Sequence, residues 1–375
     1  MIATTRPELS VNEPTLYVAF ELGKKDWKLA LTSGFGVAPW LRTVASGDWS
    51  AMERALTQGR VRFGLAATAR VVSCYEAGRD GFWIHRVLTT RGIANRVVDS
   101  ASIEVNRRAR RAKTDRLDAL KLVTMLVRVC CGESRVWSEV HVPTVAAEAA
   151  RQVSRERTAL TRERTRLINQ SRGLLATWGA ALPRHRAPGW WTTVRDGAGA
   201  ALPGEVQARL ARTHARVTLL TEQIAALEDQ QRVAVTAAAP SRALQQLVQL
   251  KGIATTSAAV LLDEGLVWRE FRNRRQIGGL LGFAPTPYNS GESTREQGIS
   301  RAGNKRLQTI SVQLAWSWVR WQPLSALTRW FREHFGPKKR ARKIGIVAVA
   351  RRLVIALWRY VTTGEVPAGA ILNVA

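Results

Sequence analysis

The hydrophobic pattern of this 375-residue chain changes period near residue 145, and that change limits the folds open to it. Before the change, short apolar runs alternate with helical stretches. Leu16 to Leu22 reads as a strand, Gly23-Lys24-Lys25 as a turn, and the alternating run Trp27 to Thr32 as an antiparallel partner. Val71 to Tyr75 and Ile93 to Val98 read as further strands, with a helix through Leu88 between them and another from near Thr114. A hairpin followed by alternating strands and helices predicts a mixed sheet with helices on its faces. After the change, Ala146 to Thr177 and Val206 to Ala237 have helical composition and dense charge. They bracket a Pro-, Gly- and Trp-rich segment from Gly179 to Gly204, which predicts an antiparallel, coiled-coil-like hairpin. From about Leu244 onward the chain reads as helical, interrupted by a Gly/Ser/Pro-rich loop from Gly278 to Gly303. The expected layout is a polar tail over residues 1–14, an α/β domain over 15–144, a helical insert over 145–240 and a mainly helical domain over 241–375.

Charge narrows the partners. Lys and Arg total 57 against 29 acidic residues, a net charge of +28. Such an excess draws polyanions by counterion release, which points to DNA or RNA. The apolar share of 46% is ordinary for a folded chain. Three cysteines without a CxxC pair argue against thiolate zinc sites and a disulfide framework, and fit a reducing cytoplasm. Residues 1–14 carry no apolar signal core, and Ile344 to Trp358 is broken by Arg351 and Arg352, so it reads as a buried helix and no membrane role is expected.

The acidic residues carry the first chemical signal. Asp115 and Asp118 lie three apart and share one face of a helix, which is unfavourable unless a cation stands between them or the helix start stabilises both. Glu76 follows a strand, at the end where α/β sheets present ligands. Glu21 interrupts the apolar run Tyr17-Val18-Ala19-Phe20-Glu21, and a carboxylate there is costly unless paired or bound to metal. Four such acids from separate segments meet the needs of a phosphoryl-transfer site, and oxygen donors favour Mg²⁺ or Mn²⁺ over Zn²⁺.

The order Glu21, then Cys74-Tyr75-Glu76-Ala77-Gly78, then Lys113-Thr114-Asp115-Arg116-Leu117-Asp118-Ala119 resembles the N-terminal domain of the DEDD transposases of insertion sequences. The resemblance implies an RNase H-like fold, similar to Holliday-junction resolvases, with Glu21, Glu76, Asp115 and Asp118 as metal ligands. The family's first position is usually Asp; here it is Glu21, and Asp26 nearby competes for the role.

A second segment, Gly282-Phe283-Ala284-Pro285-Thr286-Pro287-Tyr288-Asn289-Ser290-Gly291-Glu292-Ser293, reads on composition as a loop without a histidine to serve as base. It resembles the C-terminal transposase domain of the same family, which implies that Ser290 is the DNA-attacking nucleophile, with Ser293 as runner-up. Leu250-Lys251-Gly252-Ile253-Ala254 reads either as a helix–hairpin–helix turn or as a plain helical turn. Arg295, Arg301, Lys305 and Arg306 suit phosphate contacts, as do Arg107, Arg108, Arg110, Arg111 and Lys113 ahead of the Asp pair. The alternative for the latter run is a solvated surface. Arginines of the helical insert fit either a salt-bridged coiled coil or RNA binding, and Trp316, Trp318 and Trp321 read as packing residues rather than stacking platforms.

The family resemblance further implies cleavage and rejoining of double-stranded DNA, guidance by a bridge RNA, a homodimer pairing into a tetramer, and a cytoplasmic, nucleoid-associated location. Two rival readings stay open: a metal-only junction endonuclease, and a non-catalytic nucleic-acid-binding protein.

Overall fold

The computed structural model describes residues 13–103, 114–134, 136–236, 241–266, 269, 271–290, 293–300 and 303–373; at 101, 234–236, 286–290 and 293–297 the backbone alone is described. The chain divides into two compact units, Met1–Val142 and Pro143–Ala375.

The first unit is a five-stranded mixed sheet in the order β3-β2-β1-β4-β5. Its strands are β1 (Thr15–Leu22), β2 (Asp26–Thr32), β3 (Trp40–Ala45), β4 (Arg70–Glu76) and β5 (Ala94–Val98). β1, β2 and β3 are joined antiparallel, whereas β4 lies parallel to β1 and β5 parallel to β4. The β1–β2 turn is tight enough that a Cβ on Gly23 would stand 2.4 Å from the Asp26 carbonyl oxygen, so only glycine fits there.

Side-chain alternation gives the sheet two apolar faces. On one, Leu16, Val18, Phe20, Leu29 and Tyr75 pack with Met52 and Leu56 of α1 (Trp49–Arg62) and Ile84 and Leu88 of α2 (Trp83–Thr90). On the other, Ala19, Ala30, Val72 and Cys74 pack under Ala119, Leu122, Val123 and Leu126 of α3 (Asp115–Cys130). β3 forms one edge. Its outer indole, Trp40, is covered by the guanidiniums of Arg42 at 4.6 Å and Arg62 at 5.7 Å.

In the second unit, α4 (Val145–Ala176) and α6 (Gly204–Thr236) run antiparallel, stitched by Arg157–Glu228 and by Arg216–Glu163 at 3.0 Å. The segment between them carries the short α5 (Trp190–Thr193). It closes the hairpin's end with a small core of Leu175, Trp190, Leu202 and Leu210, and the Trp190 indole donates to His214 Nδ1 at 3.3 Å.

The remaining elements are α7 (Arg242–Gln249), α8 (Thr255–Leu261) with a π turn over Leu262–Leu266, α9 (Arg274–Leu280), β6 (Pro285–Ser290), β7 (Ser293–Ile299), α10 (Lys305–Trp321), α11 (Ala326–His334) and α12 (Lys339–Thr363). Leu353, Val349 and Leu357 of α12 lie at the centre of one core with Leu247, Leu261, Leu314 and Trp318. α12 contains the apolar stretch from Ile344, and no described helix is long and apolar enough to cross a membrane.

Residues 278–303 are not a plain loop, as their composition predicted. They hold the end of α9 and an antiparallel hairpin, β6–β7, in which Ser290 pairs with Ser293. Residues 291 and 292, between the two strands, lie outside the described residues. Pro285 and Pro287 hide this strand from a composition reading because proline is tolerated only on strand edges.

Candidate functional site

In the first unit the acidic residues are placed by sheet register. β1 and β4 are parallel neighbours, with Ala19 opposite Cys74 and Phe20 opposite Tyr75. The residues that follow, Glu21 and Glu76, therefore emerge side by side at the carboxyl ends of the two strands. Ala19 and Cys74 belong to the α3-facing core, so alternation turns both glutamates toward α3 as well.

α3 begins where its N-cap, Thr114, accepts a hydrogen bond from the Leu117 amide. Asp115 and Asp118 both fall in its first turn, where the helix dipole favours negative charge. Asp118 precedes the buried Leu122 and Leu126 by four and eight residues, so it shares the sheet-facing stripe and is half-buried. Asp115 sits at the helix start and is exposed.

The result is a cleft of about 350 Å³ lined by Glu21, Glu76, Asp118, Asp80, Lys24 and Tyr75, among others. Asp115 does not line it, and neither does Asp26, which pairs with Lys28 at 3.5 Å. Lys28 is the cross-strand partner of Glu21. Asp80 escaped the sequence reading. Its signal was its position in Gly78-Arg79-Asp80-Gly81, just past the β4 end, and it pairs with Arg79 at 3.3 Å.

The acids of this lining offer carboxylate oxygens, the donor type that Mg²⁺ and Mn²⁺ take. In donor chemistry the lining fits such an ion. In spacing, no three His, Cys, Asp or Glu side chains among the described residues stand close enough to hold a metal. The acids share a cleft without closing to ligand distance.

In the second unit the β6–β7 hairpin carries Ser290 at its tip, and the base of the hairpin is clamped. Ser300 N–H donates to Ala284 O and Asn304 N–H to Leu280 O, both at 2.9 Å. A Cβ on Gly303 would come within 2.6 Å of the Gly282 nitrogen and the Leu280 oxygen, so glycine permits this approach. The side chains of Ser290 and Arg295 are not described, and Arg107, Arg108, Arg110, Arg111, Lys113 and Arg301 lie outside the described residues. Lys305 opens α10 and is exposed.

Arg306 is committed inside the protein. Its Nε contacts Glu264 Oε1 at 2.8 Å, and Nη2 donates to Ser154 O at 2.9 Å and Thr158 Oγ1 at 3.2 Å. Glu264, 1% exposed in the π turn, is the hub of a polar network that sequence reasoning missed. Arg155 of α4 reaches it with Nε at 2.9 Å and Nη2 at 3.1 Å, and Asn304 Nδ2 donates to it at 3.1 Å. Burial pushes the Glu264 carboxyl up, but the hydrogen bonds from Arg155 and Asn304 and the charges of Arg155 and Arg306 outweigh it and hold the group below the usual range. Its neighbour Asp263 is pushed up to about 6 by burial and by the Glu264 charge. The available signal was an acid pair inside the apolar run Val260-Leu261-Leu262-Asp263-Glu264-Gly265-Leu266.

Near by in sequence, Gly252 turns between α7 and α8 with φ +91°. Its carbonyl accepts from Ser317 Oγ at 2.7 Å, so the turn is braced against α10.

Comparison with known proteins gives this geometry a context. The family model described as "Transposase IS116/IS110/IS902 family" matches residues 244–329, from α7 through the serine hairpin into α11. A protein of Sinorhizobium fredii named as a transposase, y4rJ, is 40% identical over 398 residues, covering 100% of this chain and 99% of its own length. A family 20 transposase of Pseudomonas aeruginosa is 31% identical over 237 residues, 61% of this chain and 68% of its own. The transposase for insertion sequence element IS1328 of Yersinia enterocolitica is 30% identical over 189 residues, 50% of this chain and 55% of its own. The class is thus that of the enzymes that move DNA segments. In particular, the chain belongs to the IS116/IS110/IS902 family of insertion-sequence transposases.

Proposed function

We propose that this transposase cuts and rejoins DNA through Ser290, assisted by a divalent cation held at the acidic cleft. The observation that carries the reading is the collection of Glu21, Glu76 and Asp118, from β1, β4 and α3, in one cleft. Those three residues would hold Mg²⁺ or Mn²⁺, with Asp115 and Asp80 as nearby carboxylates. The ion would supply charge stabilisation at the scissile phosphate. The parallel β1–β4–β5 half, with acids at its carboxyl ends and α3 across them, supports the RNase H-like reading of the first unit.

In the cutting step the Ser290 oxygen forms a bond to phosphorus and the bond to the 3′ oxygen breaks. The serine hydroxyl proton leaves, the departing 3′ oxygen gains a proton, and the phosphate stays esterified to the protein. Rejoining is the reverse attack by a 3′ hydroxyl. A linkage of this kind retains the energy of the broken strand. Placing the serine at the last pair of a two-stranded hairpin supports access by a DNA backbone.

RNA guidance and dimer-to-tetramer assembly belong to the same reading. Arg162 and Arg166, exposed on α4 and outside its ion pairs, support an RNA-facing side of the hairpin.

The test is covalent capture on a DNA substrate whose cleaved fragment diffuses away. The wild-type chain forms a protein–DNA adduct with Mg²⁺ and none with a chelator, and adding co-purifying RNA raises the yield if a guide is required. Ser290→Ala keeps DNA binding and loses the adduct; Asp118→Ala and Glu76→Ala lower its rate at least about 100-fold, the scale for losing electrostatic stabilisation. Free cut ends without an adduct would instead establish a metal-only nuclease. An adduct that survives Ser290→Ala but not Ser293→Ala would move the nucleophile.

A further inference from the structure

The three tryptophans of α10 do not share one role. Trp318 is 1% exposed and its indole N–H donates to Ser325 Oγ at 2.8 Å, as a packing residue should. Trp316 is 40% exposed and Trp321 45%. Trp316 lines a surface cavity of about 550 Å³ formed by α10, α11, the Gly336-Pro337 turn and the start of α12. That volume lies within the roughly 300–1,000 Å³ of pockets that hold small organic groups.

The remaining lining is cationic. Arg320, Arg332 and Arg342 reach the cavity, Phe331 contributes to its wall, and no carboxylate among the described residues lines it. Arg320 also lies over the Trp321 ring at 5.1 Å, and it lines the same cavity as Trp316. Arg342 stands over the Trp316 ring at 5.9 Å, a looser cover than Arg352 gives Trp330 at 3.7 Å, and the indole keeps its exposed surface. Lys338, Lys339, Arg340 and Lys343 extend the same sign of charge along the start of α12, all exposed.

An indole in a concave, arginine-lined site has a specific use. A duplex hides its base faces, so a regular double helix gains phosphate contacts here and nothing from Trp316. An unpaired base offers a face to stack on, and its flanking phosphates fall to the arginines. An acidic protein segment would use the charge but leave the indole idle. We propose that this groove holds an unpaired nucleotide of a DNA strand, its base on Trp316 and its phosphates on Arg320 and Arg342. Such strands arise wherever a transposase opens a duplex. The groove shares no lining residue with the acidic cleft, and the inference requires only that the chain processes DNA.

The test is fluorescence anisotropy of the full-length chain with labelled (dT)15, a duplex of equal length, and r(U)15, at two salt concentrations. Trp316→Ala should weaken (dT)15 binding about tenfold, the scale of one lost stack, and change duplex binding less than about twofold. Trp316→Phe should retain most of the affinity. The double change Arg320→Gln, Arg342→Gln, at two exposed positions, should lower the salt slope for (dT)15 by about 0.7 per charge. It carries the test if Trp316→Ala fails to fold, as judged by its melting curve. Equal losses for single strand and duplex, no loss for either, or a loss confined to r(U)15 would each overturn the proposal.

Discussion

Replacing Glu264 by Gln removes one negative charge from a buried point on which Arg155 and Arg306 converge, and leaves two guanidiniums facing each other. Breaking a buried pair in this way costs about 3–5 kcal/mol; Arg155 is partly solvated, so about 3 kcal/mol is expected. A urea midpoint for Glu264→Gln will read it, and a loss under about 1 kcal/mol would reduce the network to the rank of surface ion pairs.

Asp263 acts in the opposite sense. Its folded-state pKa of about 6 lies above the ordinary 3.8, so folding takes up a proton between those values. Stability is therefore full below about pH 4, falls as pH rises through about 6, and stays lower above it. Asp263→Asn should melt about 5 °C higher than wild type at pH 8 and level with it at pH 4; equal melting curves at both pH values would contradict the assignment.

Single residues also divide by legibility. Glu21 and Glu76 could be read because each closes a visible strand, and Asp118 because it lies beside a helix start. Glu264 could not, since its meaning depends on Arg155, 109 positions away.

The element on which the acidic cleft depends most is α3. Its first turn, carrying Asp115 and Asp118, is held by the Thr114 side chain and otherwise has little covering it, since residues 114–117 are all exposed. Thr114→Ala should cost about 1 kcal/mol, the usual value of an N-cap, and lower Mg²⁺-dependent cleavage. Thr114→Ser should restore both. An alanine variant with unchanged melting and cleavage would show that the cap does not organise the turn.

β2 was visible in the alternation of its apolar residues, and β1, β4 and β5 as short apolar runs. β3 and α1 were not. In β3 only Val44 is buried, as befits an edge, and α1 buries four residues, one of them Gly59. A glycine in mid-helix normally argues against one; here a Cβ at position 59 would press on Leu31 at 3.0 Å, which explains its place.

On the scale of the whole molecule the net charge of +28 dominates. Binding to non-specific duplex DNA should weaken steeply with salt, at a log–log slope of about 0.9 per neutralised phosphate. Titration between 50 and 300 mM salt will measure it, and a flat response would mean that the excess charge faces the protein's own acids or another partner.

The guarded border of the sheet has a consequence of a different kind. A bare β3 would offer unpaired backbone groups to any passing extended chain, the usual start of aggregation. With Arg42 and Arg62 drawn over Trp40, that border carries like charges that would oppose pairing with the same strand of a second copy. Charge that serves recognition elsewhere in this chain serves here to keep the molecules apart.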